Sequence, residues 1–403
     1  MAAPLVKQLD EQISRFLLAR CHNIADLRRV ARWRVPSPMF HYMDGAADDE
    51  VTMGRNESAF DELELLPRNL IDITKIDTST TVLGQKIDFP LMLAPTGMSR
   101  LFHWEGELAV ARAAARAGTF YSLSTVGTHS IEEVAAVNNG PKCFQIYVFK
   151  DRGLTAEFID RSREAHFHAL CLTIDLPLTG NRERDLRTGM TVPPKLSLRS
   201  WMDFAFRPLW SAAHLSSDPF TLANVAHRVP AARPGDVNTL QAYIGEQFDR
   251  SVTWADAEVM VKQWNGPFAV KGILTVDDAK RAVDIGATAV IVSNHGGRQL
   301  DHVPAPIEVL PEIVEAVGDR VEVILDGGVR RGTDVIKALA LGAKACMTGR
   351  CYLFGLGAGG EAGVDRALQL LKAEINRDMA LLGTRNVNEI GRHHVRYRRR
   401  IRD

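Results

Sequence analysis

A histidine and an arginine three residues apart open the case for chemistry. In Ser293-Asn294-His295-Gly296-Gly297-Arg298 the imidazole is a base that works near neutral pH. The guanidinium offers the forked donor pair that grips a carboxylate. Together they suit a small acid carrying a hydroxyl or an α-proton to be removed, as a 2-hydroxy acid does. Asp175, two residues beyond Thr173, could hold the imidazole and stabilise the imidazolium that forms when the base takes its proton. Lys271 in VKGI has two readings: a Schiff-base lysine, or a positive charge set beside an electron-poor ring. Two glycine-rich pieces, DGGVRRG from Asp326 and TGR from Thr348, have the make-up of a phosphate site. Glycines let backbone N–H groups approach closely, and Arg350 adds a forked charged donor.

The elements that must position these groups recur along the chain. Eight apolar runs, FPLMLAP, TFYSLST, KCFQIYV, ALCLTID, PFAVKGI, TAVIVSN, VEVILDG and AKACMTG, have the near-continuous hydrophobicity of parallel strands buried on both faces. Amphipathic stretches ending in Gly, such as GELAVARAAARAG and GTDVIKALALGA, lie between them and predict helices. Eight such units predict an α/β fold, a (β/α)8 TIM barrel, whose site lies at the C-terminal strand ends. Those ends carry Pro95, Thr96 and Gly97, then Ser124, Gln145 and Tyr147, Thr173 and Asp175, Lys271, Ser293, Asp326, Gly328 and Arg330, and Gly349 and Arg350. A structural barrel has no use for polar groups at one end of nearly every strand. Buried unpartnered, each costs free energy.

The chain of 403 residues is read as one domain over 1–403: an N-terminal helical segment over 1–75, the barrel over 90–177 and 267–375, and an insertion over 178–250 after the fourth strand. Residues 10–34 are expected to form small surface helices. The insertion contains LSLRSWMDFAFRPLWSAAHL, which reads either as a lid on the barrel or as an amphipathic patch resting in a membrane interface. The basic end RHHVRYRRRIRD reads as a solvated or subunit-contacting tail, or as an anionic-lipid contact. Lys+Arg and Asp+Glu are both 49, so no overall charge favours nucleic acid as a partner. Five cysteines without CxxC spacing suggest neither a metal site nor a disulfide framework, and fit reduced thiols in the cytoplasm. No run is long and apolar enough to be read as a signal peptide or a membrane span.

From about Asp26 to its end the chain resembles the FMN-dependent L-2-hydroxy acid oxidases and dehydrogenases. The motifs YMDGAADDE, LAPTG, LSTVGTHSIEEVA, FQIYVFKDR, LTIDLP, VKGI, SNHGGRQLD and LDGGVRRGTDVIKALALGA carry the likeness. Within the family the chain is similar to the bacterial respiratory L-lactate dehydrogenases. The resemblance implies FMN as cofactor and oxidation of L-lactate to pyruvate, with mandelate-like or longer-chain 2-hydroxy acids as the alternative. Electrons would pass to a quinone, a cytochrome or O2. It implies His295 as base, Asp175 as its partner, Tyr147 and Lys271 in the catalytic group, and Tyr42, Tyr147, Arg182 and Arg298 as substrate ligands. Lys271, Pro95, Thr96, Gly97, Ser124, Gln145, Thr173 and Ser293 would contact the flavin or its ribityl chain. Asp326, Gly328, Arg330, Gly349 and Arg350 would hold the ribityl and phosphate end. A homotetramer on the cytoplasmic face of the inner membrane is the expected setting. Proton removal with hydride transfer and passage through a carbanion both fit these residues. Val126 stands where plant glycolate oxidases carry Trp, and Gly97 where Ala is frequent. An isopentenyl-diphosphate isomerase, an IMP dehydrogenase relative or a non-catalytic phosphate-binding barrel would leave the group His295, Arg298 and Asp175 unexplained.

Overall fold

The computed structural model describes residues 2–190, 195, 197–228 and 246–398. Eight described strands run parallel and close on themselves: β1 Leu91–Thr96, β2 Tyr121–Ser124, β3 Lys142–Ile146, β4 Ala169–Thr173, β5 Phe268–Ile273, β6 Ala289–Val292, β7 Glu322–Asp326 and β8 Ala345–Thr348. Each pairs with its neighbours in sequence, and β8 returns to β1. This is the (β/α)8 barrel expected from the eight apolar runs. Gly118, Gly286 and Gly342 follow intervening helices at positive φ, the left-handed step that ends a helix at low steric cost.

The two-residue period of a strand sorts the barrel interior by depth. Cys143 precedes Gln145, Cys171 precedes Thr173, Ala269 precedes Lys271 and Ile324 precedes Asp326, so each inward face is apolar at the bottom and polar at the top. A short hairpin, Thr80–Val82 with Gln85–Ile87, closes the lower mouth. Its Val82, Leu83 and Ile87 join the interior cluster. One strand departs from the expected pattern. β5 continues past Lys271 to Ile273, with a register shift between them and Gly272 at φ 106°. Lys271 therefore projects from within its strand, not from its end.

The N-terminal segment is a correction. The helices Ala2–Leu18 and Ile24–Arg34 are not surface appendages. Leu27 and Ala31 are fully buried, and Ala31 and Val35 lie against Gly357 of the long helix Arg350–Leu382. Of the charges that suggested a surface, Arg34 is buried in a pair with Asp10, while Arg28 stays half-exposed and reaches the buried Asp44 at 2.6 Å. The basic C-terminal stretch is partly structural too. Val395–Tyr397 pairs antiparallel with Leu63–Leu65, and His394 is buried; residues 399–403 lie outside the described residues. The insertion leaves the barrel after β4 as expected, but it is not a plain loop. It contains the helices Glu183–Thr188, Leu198–Ala205 and Pro208–Leu215. Its PAARPGD stretch falls outside the described residues.

Leu27→Ala should lower unfolding free energy by about 2–5 kcal/mol, the usual cost of truncating a buried leucine. Denaturant unfolding measures it. A loss below about 0.5 kcal/mol is what a surface helix would give, and would contradict the packing described.

Candidate active site

The turn after β6 builds the centre. His295, Gly296 and Gly297 all have positive φ, at 58°, 65° and 76°. Three consecutive left-handed residues are costly, the more so for a histidine, and the surroundings hold them. Asn294 Oδ1 accepts from Gly297 N at 3.1 Å. Its amide exchanges two hydrogen bonds with Asn56, at 2.7 and 2.8 Å. The turn presents the His295 ring to Asp175, with Nδ1 donating to Oδ1 at 2.8 Å. Nε2 then faces the Tyr147 hydroxyl at 3.5 Å. Burial outweighs the pull of Asp175 and lowers the pKa of His295. The ring is therefore neutral near neutral pH, with a lone pair on Nε2. Burial works against the charge of Asp175, but His295 and then Lys271 keep its carboxyl below the usual range. Burial and Asp175 push the Tyr147 phenol up, so it remains protonated.

Guanidinium groups surround this pair. Arg298 Nη1 donates to the carbonyls of Tyr42 and Gly45 at 2.7 and 2.9 Å and lies 5.0 Å over the Tyr42 ring. Arg182 approaches the same ring at 5.8 Å. Burial, with Arg182 next to it, pulls Arg298 down to about 10. Burial, then Arg298 and Arg330, pulls Arg350 down to about 9. Cations depressed in this way gain from an anion beside them. The chain ahead of the barrel completes the wall: Ala47 N bonds Gly297 O at 2.9 Å, and Arg350 donates to Gly45 O at 2.7 Å.

From β5, between the strands that carry Asp175 and His295, Lys271 Nζ lies 2.8 Å from Asp326 Oδ2 and 2.9 Å from Ser293 Oγ. Ser293 in turn donates to Asp326 at 2.7 Å. Burial opposes the Lys271 charge, but Asp326 and Asp175 outweigh it and hold the ammonium well above the usual lysine range. The charge is thus fixed, and Lys271 is not the unprotonated amine a Schiff base requires.

These groups meet in one cavity of about 610 Å³. Of the residues singled out in the sequence, Tyr42, Pro95, Thr96, Gly97, Tyr147, Arg182, Lys271, His295, Arg298, Asp326, Gly328, Arg330, Gly349 and Arg350 form its wall. Ser124, Gln145, Thr173, Asp175 and Ser293 do not form that wall. They support it through hydrogen bonds or strand register, as Ser124 does through Gln145 at 3.0 Å and Thr173 through its pairing with Lys271. Two contributors escaped the sequence reading. Asn56, by its bonds to Asn294, ties the N-terminal segment to the histidine turn. Asp185 is a buried carboxylate on the cavity wall facing Arg298 and Arg182. The motif GNRERD contains it, but only the fold shows which of its charges turns inward.

The cavity fits FMN. Gln145 Nε2, Thr173 Oγ1 and Arg350 Nε are buried donors without a hydrogen-bond partner among the described residues, and a ring with carbonyls at its edge, together with a phosphate, would satisfy such groups. Gly328 has φ 82°, and a Cβ there would collide with Asn56 O, so the position on the cavity wall beside Arg330 admits glycine only.

A model of the family described as FMN-dependent dehydrogenase matches residues 31–397. A putative L-lactate dehydrogenase from Mycobacterium tuberculosis is 42% identical over 380 residues, covering 94% of this chain and 90% of the relative. Glycolate oxidase from Spinacia oleracea is 42% identical over 373 residues, covering 93% and 95%. Among solved structures, the monotopic membrane protein (S)-mandelate dehydrogenase superimposes with a TM-score of 0.89 at 35% identity, covering 94% of this chain and 100% of that one. With the barrel, the cavity and these likenesses in agreement, the chain belongs to the FMN-dependent dehydrogenase family and is an FMN-dependent oxidoreductase acting on 2-hydroxy acids.

Proposed function

We propose that the protein oxidises L-lactate to pyruvate and delivers the electrons to a quinone or another respiratory acceptor. The observation that carries this reading is the neutral His295 Nε2, backed by Asp175 and set beside the Tyr147 hydroxyl and two guanidinium groups in one cavity. Arg298 and Arg182 bind the substrate carboxylate. That grip places the substrate hydroxyl and Cα–H at His295 and Tyr147. His295 takes a proton at Nε2, and Asp175 stabilises the imidazolium through Nδ1–H. Tyr147, as a neutral phenol, donates a hydrogen bond to the substrate oxygen. FMN, when bound, accepts the two electrons. Lys271, held by Asp326 and Ser293 on the cavity wall, would supply a positive charge to the bound cofactor. Pro95, Thr96, Gly97, Ser124, Gln145, Thr173 and Ser293 would position the ring and ribityl chain; Asp326, Gly328, Arg330, Gly349 and Arg350 would hold the ribityl and phosphate end.

The setting we infer is peripheral attachment to the cytoplasmic face of the inner membrane. Among the described residues no helix is long and apolar enough to cross a membrane. The insertion, however, turns large apolar groups outward: Trp201 is 61% exposed, Phe206 78% and Leu215 88%. Trp210 Nε1 anchors the helix Pro208–Leu215 to Phe102 O at 3.1 Å, so the apolar face is held on the body of the protein. Such a face, with arginine nearby, suits a lipid interface. Assembly as a homotetramer is inferred from family likeness alone. A dehydrogenase for mandelate-like or longer-chain acids is the second reading, favoured by the apolar groups Val126, Leu176 and Phe248 on the cavity wall. Use of O2 as acceptor stays with it as the alternative electron acceptor; at Gly97 an added Cβ would collide with the Val126 side chain.

Three tests follow from these roles. His295→Gln should retain FMN and lose about 10²–10⁴-fold in kcat/KM with L-lactate. In the parent enzyme kcat/KM should hold through neutral pH and fall as pH drops below the ordinary imidazole value of about 6.5, because protonation removes the lone pair and burial has lowered the pKa; the limb should vanish in the variant. A variant with near-parent rates would remove His295 from the mechanism. Arg298→Lys should raise KM for L-lactate about tenfold or more, since ammonium lacks the forked donor pair; an unchanged KM contradicts its role. The double variant Trp201→Ser, Phe206→Ser should bind anionic lipid vesicles at least about tenfold more weakly in sedimentation assays with flavin content preserved. Equal binding would rule out the insertion as the membrane contact.

A further inference from the structure

Glu107 is a fully buried carboxylate that the mechanism above does not use. It lies in the first turn of the helix Gly106–Ala117, which follows β1. Its Oε1 accepts from Ser99 N at 2.9 Å, in the loop after β1, and from Thr128 N at 3.0 Å, in the loop after β2. Its Oε2 accepts from Thr128 Oγ1 and lies 2.9 Å from His129 Nδ1. Burial works against the charge, but His129 and then Thr128 hold the carboxyl below its usual range. Among the described residues no lysine or arginine pairs with it. A buried carboxylate is costly unless hydrogen bonds satisfy it, so this one draws both loops onto a single point.

The same two loops carry part of the cavity wall: Gly97 and Met98 after β1, and Val126 after β2. They meet there without slack. Met98 N donates to Val126 O at 3.0 Å, and an added Cβ at Gly97 would collide with Val126 Cγ2. Ser99 directly follows Met98, and Thr128 is two residues beyond Val126, so the carboxylate acts within two residues of the wall without being part of it. The insertion grips both loops from outside, with Asn224 Nδ2 donating to His129 O at 3.3 Å and Arg100 Nη1 to Pro219 O at 3.1 Å. Loss of the carboxylate would therefore loosen the spacing of the loops without detaching either from the fold.

We propose that Glu107 is a positioning residue, which fixes the spacing of the loops after β1 and β2 and thereby the place of Gly97, Met98 and Val126 against the bound cofactor and substrate. The inference rests on the reading of this cavity as the site of FMN and a 2-hydroxy acid. Arg298 and Arg182 stand apart from the brace, so its loss leaves the grip on the substrate carboxylate in place. Misplacement of a wall by a fraction of an ångström acts on the reacting geometry, where about 1 Å can cost about 100-fold in rate.

The test measures anaerobic flavin reduction by L-lactate, and visible circular dichroism of the bound FMN, in the FMN-loaded parent, Glu107→Gln and Glu107→Ala. Glutamine keeps an oxygen for Ser99 N and Thr128 N, and its amide can donate to the Thr128 hydroxyl. Glu107→Gln should keep the limiting reduction rate within about threefold and leave the flavin dichroism unchanged. Glu107→Ala should lose at least about tenfold in limiting rate, hold KM within about threefold, and change the dichroism. Should Glu107→Ala not fold, Thr128→Val removes the hydroxyl donor and should show the same two changes, with at least about threefold in rate. Parent-like rate and dichroism in the variant that removes the bonds, or an equal loss in Glu107→Gln and Glu107→Ala, would overturn the proposal. A parent whose flavin no 2-hydroxy acid reduces would overturn the functional reading, and the dichroism alone would then decide the role of Glu107.

Discussion

The hydrogen bond between Asp175 and His295 is the constraint on which the rest of the site depends. It spans the barrel mouth from the end of β4 to the end of β6 and decides which imidazole nitrogen faces the cavity. To make it, the chain must carry a histidine in the left-handed region, followed by two glycines in the same region. Such a turn is stable only where its surroundings over-determine it. Here the paired amides of Asn56 and Asn294 do so, together with the contact of Ala47 N on Gly297 O. The N-terminal segment is thus a structural member of the active site.

Charge is the second organising theme. Lys271, Arg182, Arg298, Arg330 and Arg350 line one cavity, and several of their donors are aimed at backbone carbonyls, not at carboxylates. Asp326 answers Lys271, and Asp185 faces Arg298 and Arg182. What remains is a positive field suited to two anions, a cofactor phosphate at the glycine loops and a substrate carboxylate at the histidine turn. The depressed pKa values of Arg298 and Arg350 have the same origin: each lies buried beside other guanidinium groups.

The barrel and most of its site were legible because two-residue periodicity and strand-end position are local properties. Gln145 and Tyr147, or Thr173 and Asp175, declare a shared face within a few residues. Lys271 was legible as an inward group, though not as one inside a strand, because the register shift at Gly272 depends on pairing with β6. The buried face of the helices within residues 10–34 was not legible because Arg34 looks solvated until Asp10 is placed against it. Asn56 was invisible for a similar reason: its partner lies 238 positions away. Asp185 sits among alternating charges of both signs, and no spacing rule says which one turns inward. The helices of the insertion needed contacts with the barrel, such as Trp210 on Phe102, to be placed at all.

The account meets its most direct test in an anaerobic absorbance titration of the purified, FMN-loaded protein with L-lactate. It predicts that the oxidised flavin band bleaches as lactate is added and returns when a quinone analogue is supplied. An oxidised band that persists with lactate, mandelate and long-chain 2-hydroxy acids alike would contradict the assignment of His295, Asp175 and Arg298 to 2-hydroxy acid oxidation.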